Sequence, residues 1–483
     1  MKKLISTVLV LVILFTVISC AAYNGGTDNP NGNTADTETT EETAAEIIDE
    51  SPEIVDYDGY EFRIMVTEVL DNRKIIAEEM TGDIINDAVY VRNRAVEDKY
   101  NITVSQILAA DVNALTSSVS KNVQANDDFS DIVMIQAHSL FPVAQQGYLH
   151  DWYQFDEVRL DKPWWDQRIT NELQIKGKIY TIIGDFTTID ELGTMSVFYN
   201  KKLLDDHNLD NLYNLVNDGK WTFDRLWEMG KTVASDLNGD DLMDENDRYG
   251  IITEYSSLYY FYSGSGYRTI QPKGNNEYEL VIGTEKATNI VEKILVIGTE
   301  KRLYSIISDD GKLPDSYDMA KKMFKNDQGL FFAGAFGDIA NFRDMETDFG
   351  VLPIPKYDEI QEDYYSLVTW NVQPASMPIS VADTSRAALI LEALSYESSL
   401  GLTDAFYDVY LIDKLARDQD TVKMFDILFA SKTFDLDWYA KISGFLGILN
   451  SIGQSGVNNF ASEYAKIETQ AQVKLDEFLG AFQ

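Results

Sequence analysis

The run EFRIMV at residues 61–66 opens the stretch that decides the fold, which continues to Ile135. Strand-forming apolar residues return at 102–107 and again at 131–135. Between these strands, helical patterns occupy residues 86–100, where Asn86 is the expected cap, and about 112–123. Strand, helix, strand, helix, strand is an order that predicts an α/β sheet with parallel neighbours.

The alternation of strands and helices continues through the rest of the chain. A turn signal within 173–180 predicts a hairpin, and a strand at 194–199 runs into a helix that starts near Asn200. A further strand is expected at 349–353, and helices dominate from Ser385 onward. The sequence therefore predicts the α/β class for the whole folded body.

The composition is that of a globular chain with room for more than one lobe. Hydrophobic residues fill 45% of 483 positions, which is enough for a large core. The formal net charge of -39 repels nucleic acid and anionic lipid, so nucleic acid is excluded as a partner. Cys20 is the only cysteine, so packing and not disulfides must stabilise the fold.

The first twenty residues have the pattern of an export signal. Lys2 and Lys3 precede an uncharged apolar run from residue 4 to residue 18, and Cys20 follows it closely. This ending resembles a bacterial lipoprotein signal, in which cleavage leaves the cysteine as a new N-terminus that carries lipid. A retained membrane-spanning helix and a plain secretory signal are the alternatives.

The segment after the leader is acidic and poor in apolar residues. Residues 21–52 hold eight acids and no base, which predicts a disordered tether. We therefore divide the N-terminal part into a signal peptide (1–19) and a lipid anchor with a disordered acidic linker (20–57). The exported body would be held at the membrane by the lipid on Cys20.

Several short motifs follow one another in an order typical of one family of exported proteins. They are Gly147-Tyr148-Leu149 after the third strand, Tyr199-Asn200-Lys201 between a strand and a helix, and Phe349-Gly350-Val351-Leu352-Pro353 late in the chain. With the leader and tether, this order resembles an extracellular solute-binding lipoprotein of an ABC importer, of the family 1 carbohydrate type. The resemblance implies the type II periplasmic-binding-protein fold, in which two α/β lobes joined by crossing strands hold a ligand in the cleft between them.

The resemblance also implies a division of the body and a set of partners. The first lobe would comprise residues 58–187 and 369–416, and the second lobe residues 188–368. The C-terminal helical segment, 417–483, is assigned to the second lobe. The implied partners are a sugar or oligosaccharide and the permease subunits of the importer, and we expect a monomer.

Candidate ligand-binding residues lie where strands end, because ligands of open α/β sheets bind outside the carboxyl ends of the strands. This rule selects Thr67 and Glu68 after the first strand, His138 after the third, and Asp185 and Phe186 at the first crossing between lobes. The resemblance adds positions in the second lobe and at the return crossing: Glu254, Tyr255, Phe336, Trp370 and Asn371. Aromatic rings and carboxylates suit the apolar faces and hydroxyl rims of sugars. For Trp370 and Phe336, packing at the hinge is an equal alternative.

Residues 236–247, DLNGDDLMDEND, have the oxygen spacing of a calcium loop. The candidate ligands are Asp236, Asn238, Asp240, the backbone carbonyl of Leu242, Asp244 and Asp247. The loop resembles those of EF-hands and dockerins, although Asp241 replaces the usual glycine and an aspartate replaces the closing glutamate. We expect a structural calcium ion here, and an acidic surface turn is the alternative.

Sequence motifs for catalysis are missing from the chain. It has three histidines, no Gly-x-Ser-x-Gly elbow and no His-Glu-x-x-His pair. We therefore expect a binding protein and not an enzyme, with no catalytic cofactor. The alternatives are an exported glycosidase, which needs only two carboxylates, a protein of the same fold that binds peptide or another solute, and a calcium-dependent scaffold.

Overall fold

The computed structural model describes residues 50–68, 75–254, 256–300, 304–306, 316–416 and 418–482. The signal peptide, Cys20 and most of the acidic linker lie outside these residues, as does Tyr255. Within the described ranges, no helix is long and apolar enough to cross a membrane.

The described residues form thirteen strands and seventeen α-helices. The strands are β1 (Tyr60–Thr67), β2 (Ile102–Ala109), β3 (Ile132–Met134), β4 (Met195–Asn200), β5 (Tyr249–Thr253), β6 (Ile270–Gly274), β7 (Glu277–Leu280), β8 (Tyr304–Ile306), β9 (Gly329–Ala335), β10 (Phe349–Pro353), β11 (Ser366–Leu367), β12 (Ala375–Ser376) and β13 (Lys432–Thr433). The helices are α1 (Ile84–Tyr100), α2 (Val112–Ala125), α3 (Ala137–Gln145), α4 (Gln167–Glu172), α5 (Ile189–Gly193), α6 (Lys201–Asp206), α7 (Leu212–Asn217), α8 (Phe223–Val233), α9 (Ser257–Gly264), α10 (Glu285–Thr299), α11 (Ser316–Lys325), α12 (Thr384–Ser399), α13 (Leu402–Asp404), α14 (Gln419–Ala430), α15 (Leu436–Ala440), α16 (Phe445–Ser455) and α17 (Phe460–Gly480). Short 3-10 turns occur at Trp152–Gln154 and Phe336–Phe342, and a π-helix spans Ala405–Leu415.

The first sheet has the order β12-β3-β1-β2. β1 is parallel to both of its neighbours, so Met65 pairs with Val133 and Val66 with Leu108. β12 joins the sheet antiparallel to β3 from far along the chain. The parallel order of the first three strands, with α1 and α2 between them, confirms the predicted α/β arrangement. We call this sheet and the helices on it the first lobe.

The first helix begins before the predicted cap. Oδ1 of Asp83 accepts hydrogen bonds from the backbone N–H groups of Ile85 and Asn86, at 3.0 and 3.1 Å. Asn86 therefore lies inside the first turn, where its side chain donates to the carbonyl of Glu79 at 2.8 Å. Aspartate and asparagine cap helices about equally well, so the sequence alone could not choose between them.

The second sheet has the order β10-β4-β9-β5-β8. β4 runs antiparallel to β9 and β10, whereas β5 is parallel to β9. One face packs on a cluster of rings in which Phe342 lies 5.1 Å from Phe198 and 5.4 Å from Phe332, measured between centroids. We call this sheet and its helices the second lobe.

Three chain segments pass side by side between the lobes. The first crossing (185–194) meets the second (366–371) where the N–H of Thr369 donates to the carbonyl of Gly193 at 2.8 Å. The second meets the third (432–433) where the N–H of Val368 donates to the carbonyl of Thr433 at 2.9 Å. The two lobes are therefore joined by crossing segments, as predicted.

The C-terminal segment packs against both lobes. α14 packs on β10 and α16 on α10, both in the second lobe, whereas α15 packs on α3 of the first lobe. Near the C-terminus, the ring of Phe478 lies 5.7 Å from that of Phe141 in α3. The sequence assigned this segment to the second lobe, but in the structure it contacts the first lobe as well.

Candidate functional site

Strand ends from both lobes supply the candidate site. Because β1 and β3 are parallel, Thr67, the last residue of β1, and His138, which comes after β3, lie at one edge of the first sheet. β5 and β9 are also parallel, so Glu254 and Phe336 follow strands that end at one edge of the second sheet. The topology therefore places Thr67, Glu68, His138, Glu254 and Phe336 at strand ends, where ligands of open α/β sheets bind.

His138 and Trp370 are in direct contact. The backbone N–H of His138 lies 3.4 Å from the carbonyl oxygen of Trp370, and Nδ1 of the imidazole lies 3.3 Å from the same oxygen. The two rings meet edge to face at 6.4 Å. Burial lowers the pKa of His138, so the imidazole is neutral near neutral pH.

Trp370 stacks on a second indole that the sequence did not single out. The rings of Trp370 and Trp438 are 4.8 Å apart and inclined by only 9°. Trp370 is half-buried, whereas Trp438 is fully buried. Nζ of Lys441 lies 4.9 Å from the centroid of Trp370, close enough for a cation–π contact.

Trp438 connects this pair to the second lobe. Its ring lies 4.9 Å from that of Tyr259 and 5.3 Å from that of Tyr260, both in α9. Its buried Nε1 has no hydrogen-bond partner among the described residues. No strand end or motif in the sequence pointed to this residue, because α15 reaches the site only through tertiary packing.

Glu254 lies at the far end of the same set of contacts. Its Oε1 accepts hydrogen bonds from the hydroxyl of Tyr260 at 2.9 Å and from the hydroxyl of Ser256. Burial, and next the charge of Glu254, raise the pKa of Tyr260, so this hydroxyl stays protonated. Contacts thus run without a break from His138 through the two indoles and Tyr260 to Glu254.

A second carboxylate lies at the same edge of the second sheet. The N–H of Ala335 donates to the hydroxyl of Tyr317 at 3.1 Å, and this hydroxyl donates in turn to Asp338. Nζ of Lys321 lies 3.8 Å from Oδ1 of Asp338. Because Trp438 is fully buried, the half-buried indole of Trp370 is the ring in this set on which a flat, partly apolar face could lie, and the carboxylates could accept hydrogen bonds around its rim.

Two predicted aromatic contacts are core side chains in the structure. Phe336 is 0% exposed and packs edge to face on Phe425 and Phe429, at 5.2 and 5.0 Å. Phe186 is 1% exposed and packs on Trp165 at 6.1 Å. Both rings therefore contribute packing, since they lack the surface that a ligand would need.

The remaining predictions fall in different surroundings. Thr67 is buried, and its hydroxyl has no hydrogen-bond partner among the described residues. Glu68 and Asn371 are exposed. Asp185 is near the buried Lys432, and burial raises the pKa of its carboxyl group to about 6.

The calcium-type loop is closed by hydrogen bonds from its own backbone. Asp236 accepts from the N–H groups of Gly239 and Asp241, at 2.6 and 2.8 Å. The buried Asp247 accepts from those of Leu237 and Asp244, both at 2.9 Å. Among the described residues, no three His, Cys, Asp or Glu side chains are grouped as metal ligands would be, and calcium binding stays a prediction.

Three structures that are similar to this chain are all binding proteins. An ABC substrate-binding protein of Listeria monocytogenes in complex with cycloalternan has a TM-score of 0.55 and 14% identity, covering 88% of this chain and 100% of its own. A family 1 extracellular solute-binding protein of Bifidobacterium longum subsp. infantis has a TM-score of 0.55 and 16% identity, covering 87% and 99%. The Mycobacterium tuberculosis protein UgpB in complex with glycerophosphocholine has a TM-score of 0.54 and 13% identity, covering 87% and 98%.

No protein-family model and no curated protein matches the sequence of this chain. The structural matches extend over most of the chain and over nearly all of each neighbour. The chain therefore has the two-lobed periplasmic-binding-protein fold of the extracellular solute-binding proteins, as its two α/β lobes, its crossing segments and these matches show.

Proposed function

We propose that this protein is the substrate-binding lipoprotein of an ABC importer, which captures a sugar or oligosaccharide between its lobes and delivers it to a permease. The observation that carries the proposal is the unbroken set of contacts from His138 to Glu254. Its middle is the stacked pair Trp370 and Trp438, 4.8 Å apart. Residues of both lobes take part, as a ligand clamped between lobes requires.

The chemistry of these residues favours a neutral sugar as the ligand. The half-buried indole of Trp370 can pack on the apolar face of a pyranose, and the carboxylates of Glu254 and Asp338 can accept hydrogen bonds from hydroxyl groups. Tyr260 and Tyr317 already hold these carboxylates in place. The net charge of -39 disfavours an anionic solute.

The N-terminal part supports the proposed location. The leader and Cys20 fit an exported lipoprotein, and the acidic residues 21–52 fit a tether that keeps the body near the membrane. The permease partner and the monomeric state follow from the same proposal. Non-enzymatic action also belongs to it: the lobes close on the solute and release it unchanged.

The decisive experiment is a ligand panel in a thermal melting assay, confirmed by calorimetry. We expect a mono- or oligosaccharide to stabilise the fold by about 2.7 kcal/mol at one hundred times its dissociation constant. Glycerophosphocholine and short peptides test the alternative solutes. The proposal fails if only a non-sugar shifts the melting temperature, and a recovered glycan of changed mass would indicate a glycosidase instead.

A further inference from the structure

A cavity of about 390 Å³ lies where the two lobes and the crossing segments meet. The first lobe contributes Glu172 and Gln174 to its wall, the second lobe Arg268 and Tyr278. Tyr365 and Phe434, which flank the second and third crossings, complete it. Neither the predicted cleft residues nor Trp438 line this cavity, so it is distinct from the candidate site. Its volume lies within the range of small-molecule sites, roughly 300–1,000 Å³.

The guanidinium of Arg268 is held at the wall of this cavity by its neighbours. Nη2 donates to Oε1 of Glu172 at 3.2 Å and to the hydroxyl of Thr433. The group lies 5.7 Å from the ring centroid of Tyr365. Nη1 is buried and has no hydrogen-bond partner among the described residues. A buried donor without a partner is costly, so a ligand oxygen beside it would gain stability.

The charges around Arg268 select the kind of ligand. Glu172 and Asp435, whose carboxylates lie 3.2 and 3.8 Å away, more than balance the positive charge. An anion would therefore be repelled. Nη1 can only donate, so its partner must bring an acceptor oxygen, which a simple cation lacks. The rings of Tyr278, Tyr365 and Phe434 offer apolar faces. A neutral molecule with hydroxyl oxygens and an apolar face satisfies all of these groups.

We propose that this cavity is a second binding site, which takes a neutral mono- or disaccharide independently of the cleft. Arg268 donates to a ligand hydroxyl, and the tyrosine rings cover the apolar face of the sugar. The amides of Asn171 and Gln174 lie at the wall on the side of the first lobe.

The position of the cavity couples this second site to lobe movement. The hydroxyl of Tyr278, in the second lobe, donates to the carbonyl of Gln174 at 2.9 Å and accepts from the N–H of Lys176 at 3.2 Å. These bonds and the Arg268–Glu172 pair tie the two walls to each other. A ligand between the walls therefore changes the equilibrium between lobe orientations, and with it the apparent affinity of the cleft.

Asn171→Trp tests the site, because residue 171 is exposed and lines the cavity, so that a larger side chain there obstructs entry. Asn113→Trp, at another exposed asparagine, is the matched control. Binding of D-glucose and of maltose to the purified protein is measured by calorimetry and by saturation-transfer NMR. We expect a binding event that Asn171→Trp weakens at least about tenfold and Asn113→Trp leaves unchanged.

The inference is overturned if neither sugar gives such an event, or if every event persists in Asn171→Trp. Occupation by inorganic phosphate but not by glucose would overturn the ligand class. Binding in the cleft can be told apart from binding in this cavity, because Trp370→Ala should weaken binding in the cleft and Asn171→Trp should not. Melting temperatures of all variants show whether each protein is folded.

Discussion

Nζ of Lys432 lies 2.9 Å from Oε1 of Glu191, so a buried ion pair joins the third crossing segment to the first. The same ammonium group lies 2.9 Å from Oδ2 of Asp166 and donates to Asp190. All four side chains are at most 15% exposed. One cation thus holds three carboxylates at the place where the chain passes between the lobes.

Removing this cation should lower the free energy of unfolding. Lys432→Met leaves three buried carboxylates without their counter-charge, and we expect a loss of about 3–5 kcal/mol in the free energy of unfolding. Urea denaturation measures it. The control is Lys423→Met, whose exposed pair with Asp420 should contribute at most about 1 kcal/mol. Equal losses in the two variants would show that the buried pair has no special role.

The carboxyl group of Asp185, at the first crossing, makes the stability of the fold depend on pH. Its pKa is raised from 3.8 to about 6, chiefly by burial; Asp190 and Asp166 add to the rise, while Thr403 and Lys432 oppose it. Because the folded-state value lies above the unfolded one, the proton stabilises the fold below about pH 4, and this contribution is lost as the pH rises through about 6.

Asp185→Asn should therefore stabilise the protein at high pH. We expect the variant to exceed the wild type by about 1–3 kcal/mol near pH 8, with the difference shrinking below about pH 4. Denaturation at several pH values measures the trend. Asp344→Asn is the control: a hydrogen bond from Lys325 lowers the pKa of this exposed carboxyl, so the same gain at high pH should not appear. A pH-independent difference for Asp185→Asn would contradict the assignment.

The sequence predicted the fold better than the details within it. Apolar strands such as 61–66 and 131–135, separated by helical patterns, were sufficient for the parallel core of the first sheet. The hairpin predicted within 173–180 is reduced to a single bridge between Ile175 and Lys178. A turn signal fixes where the chain reverses, but the partners beside it decide whether strands continue from the turn.

The candidate site was harder to predict, because its members come from distant parts of the chain. The strand-end rule located His138, and the resemblance located Glu254 and Trp370. Trp438 gave no signal, since a tryptophan in a short helix is equally suited to core packing. Phe336 shows the opposite case: the resemblance placed it among residues that face the ligand, but its ring is buried in the core. Aromatic residue type alone does not separate a ring that binds ligand from one that packs.

Replacing Trp370 separates ligand stacking from hinge packing. In Trp370→Ala, the loss of a stacking surface should weaken sugar binding by about tenfold or more while lowering stability less. Trp227→Ala is a close control, because that indole is also half-buried and lies beside a lysine, with Nζ of Lys231 5.8 Å from its ring centroid. Calorimetry and urea denaturation of both variants give the comparison. A large loss of stability with unchanged affinity would make Trp370 a hinge residue.

Calcium binding at residues 236–247 can be tested against the loop's own geometry. Asp241 has a left-handed backbone, with φ of 66°, at the position where calcium loops usually have glycine, and aspartate tolerates this conformation. Asp236, Asp240 and Asp244 would repel one another less with a cation between them.

We expect calcium to raise the melting temperature with a dissociation constant of roughly 0.1–1 mM. Asp240→Ala should abolish the shift and Asp344→Ala should not, since Asp344 lies outside the loop. Titration calorimetry without heat at millimolar calcium, together with melting that a chelator leaves unchanged, would make the loop an ordinary acidic turn.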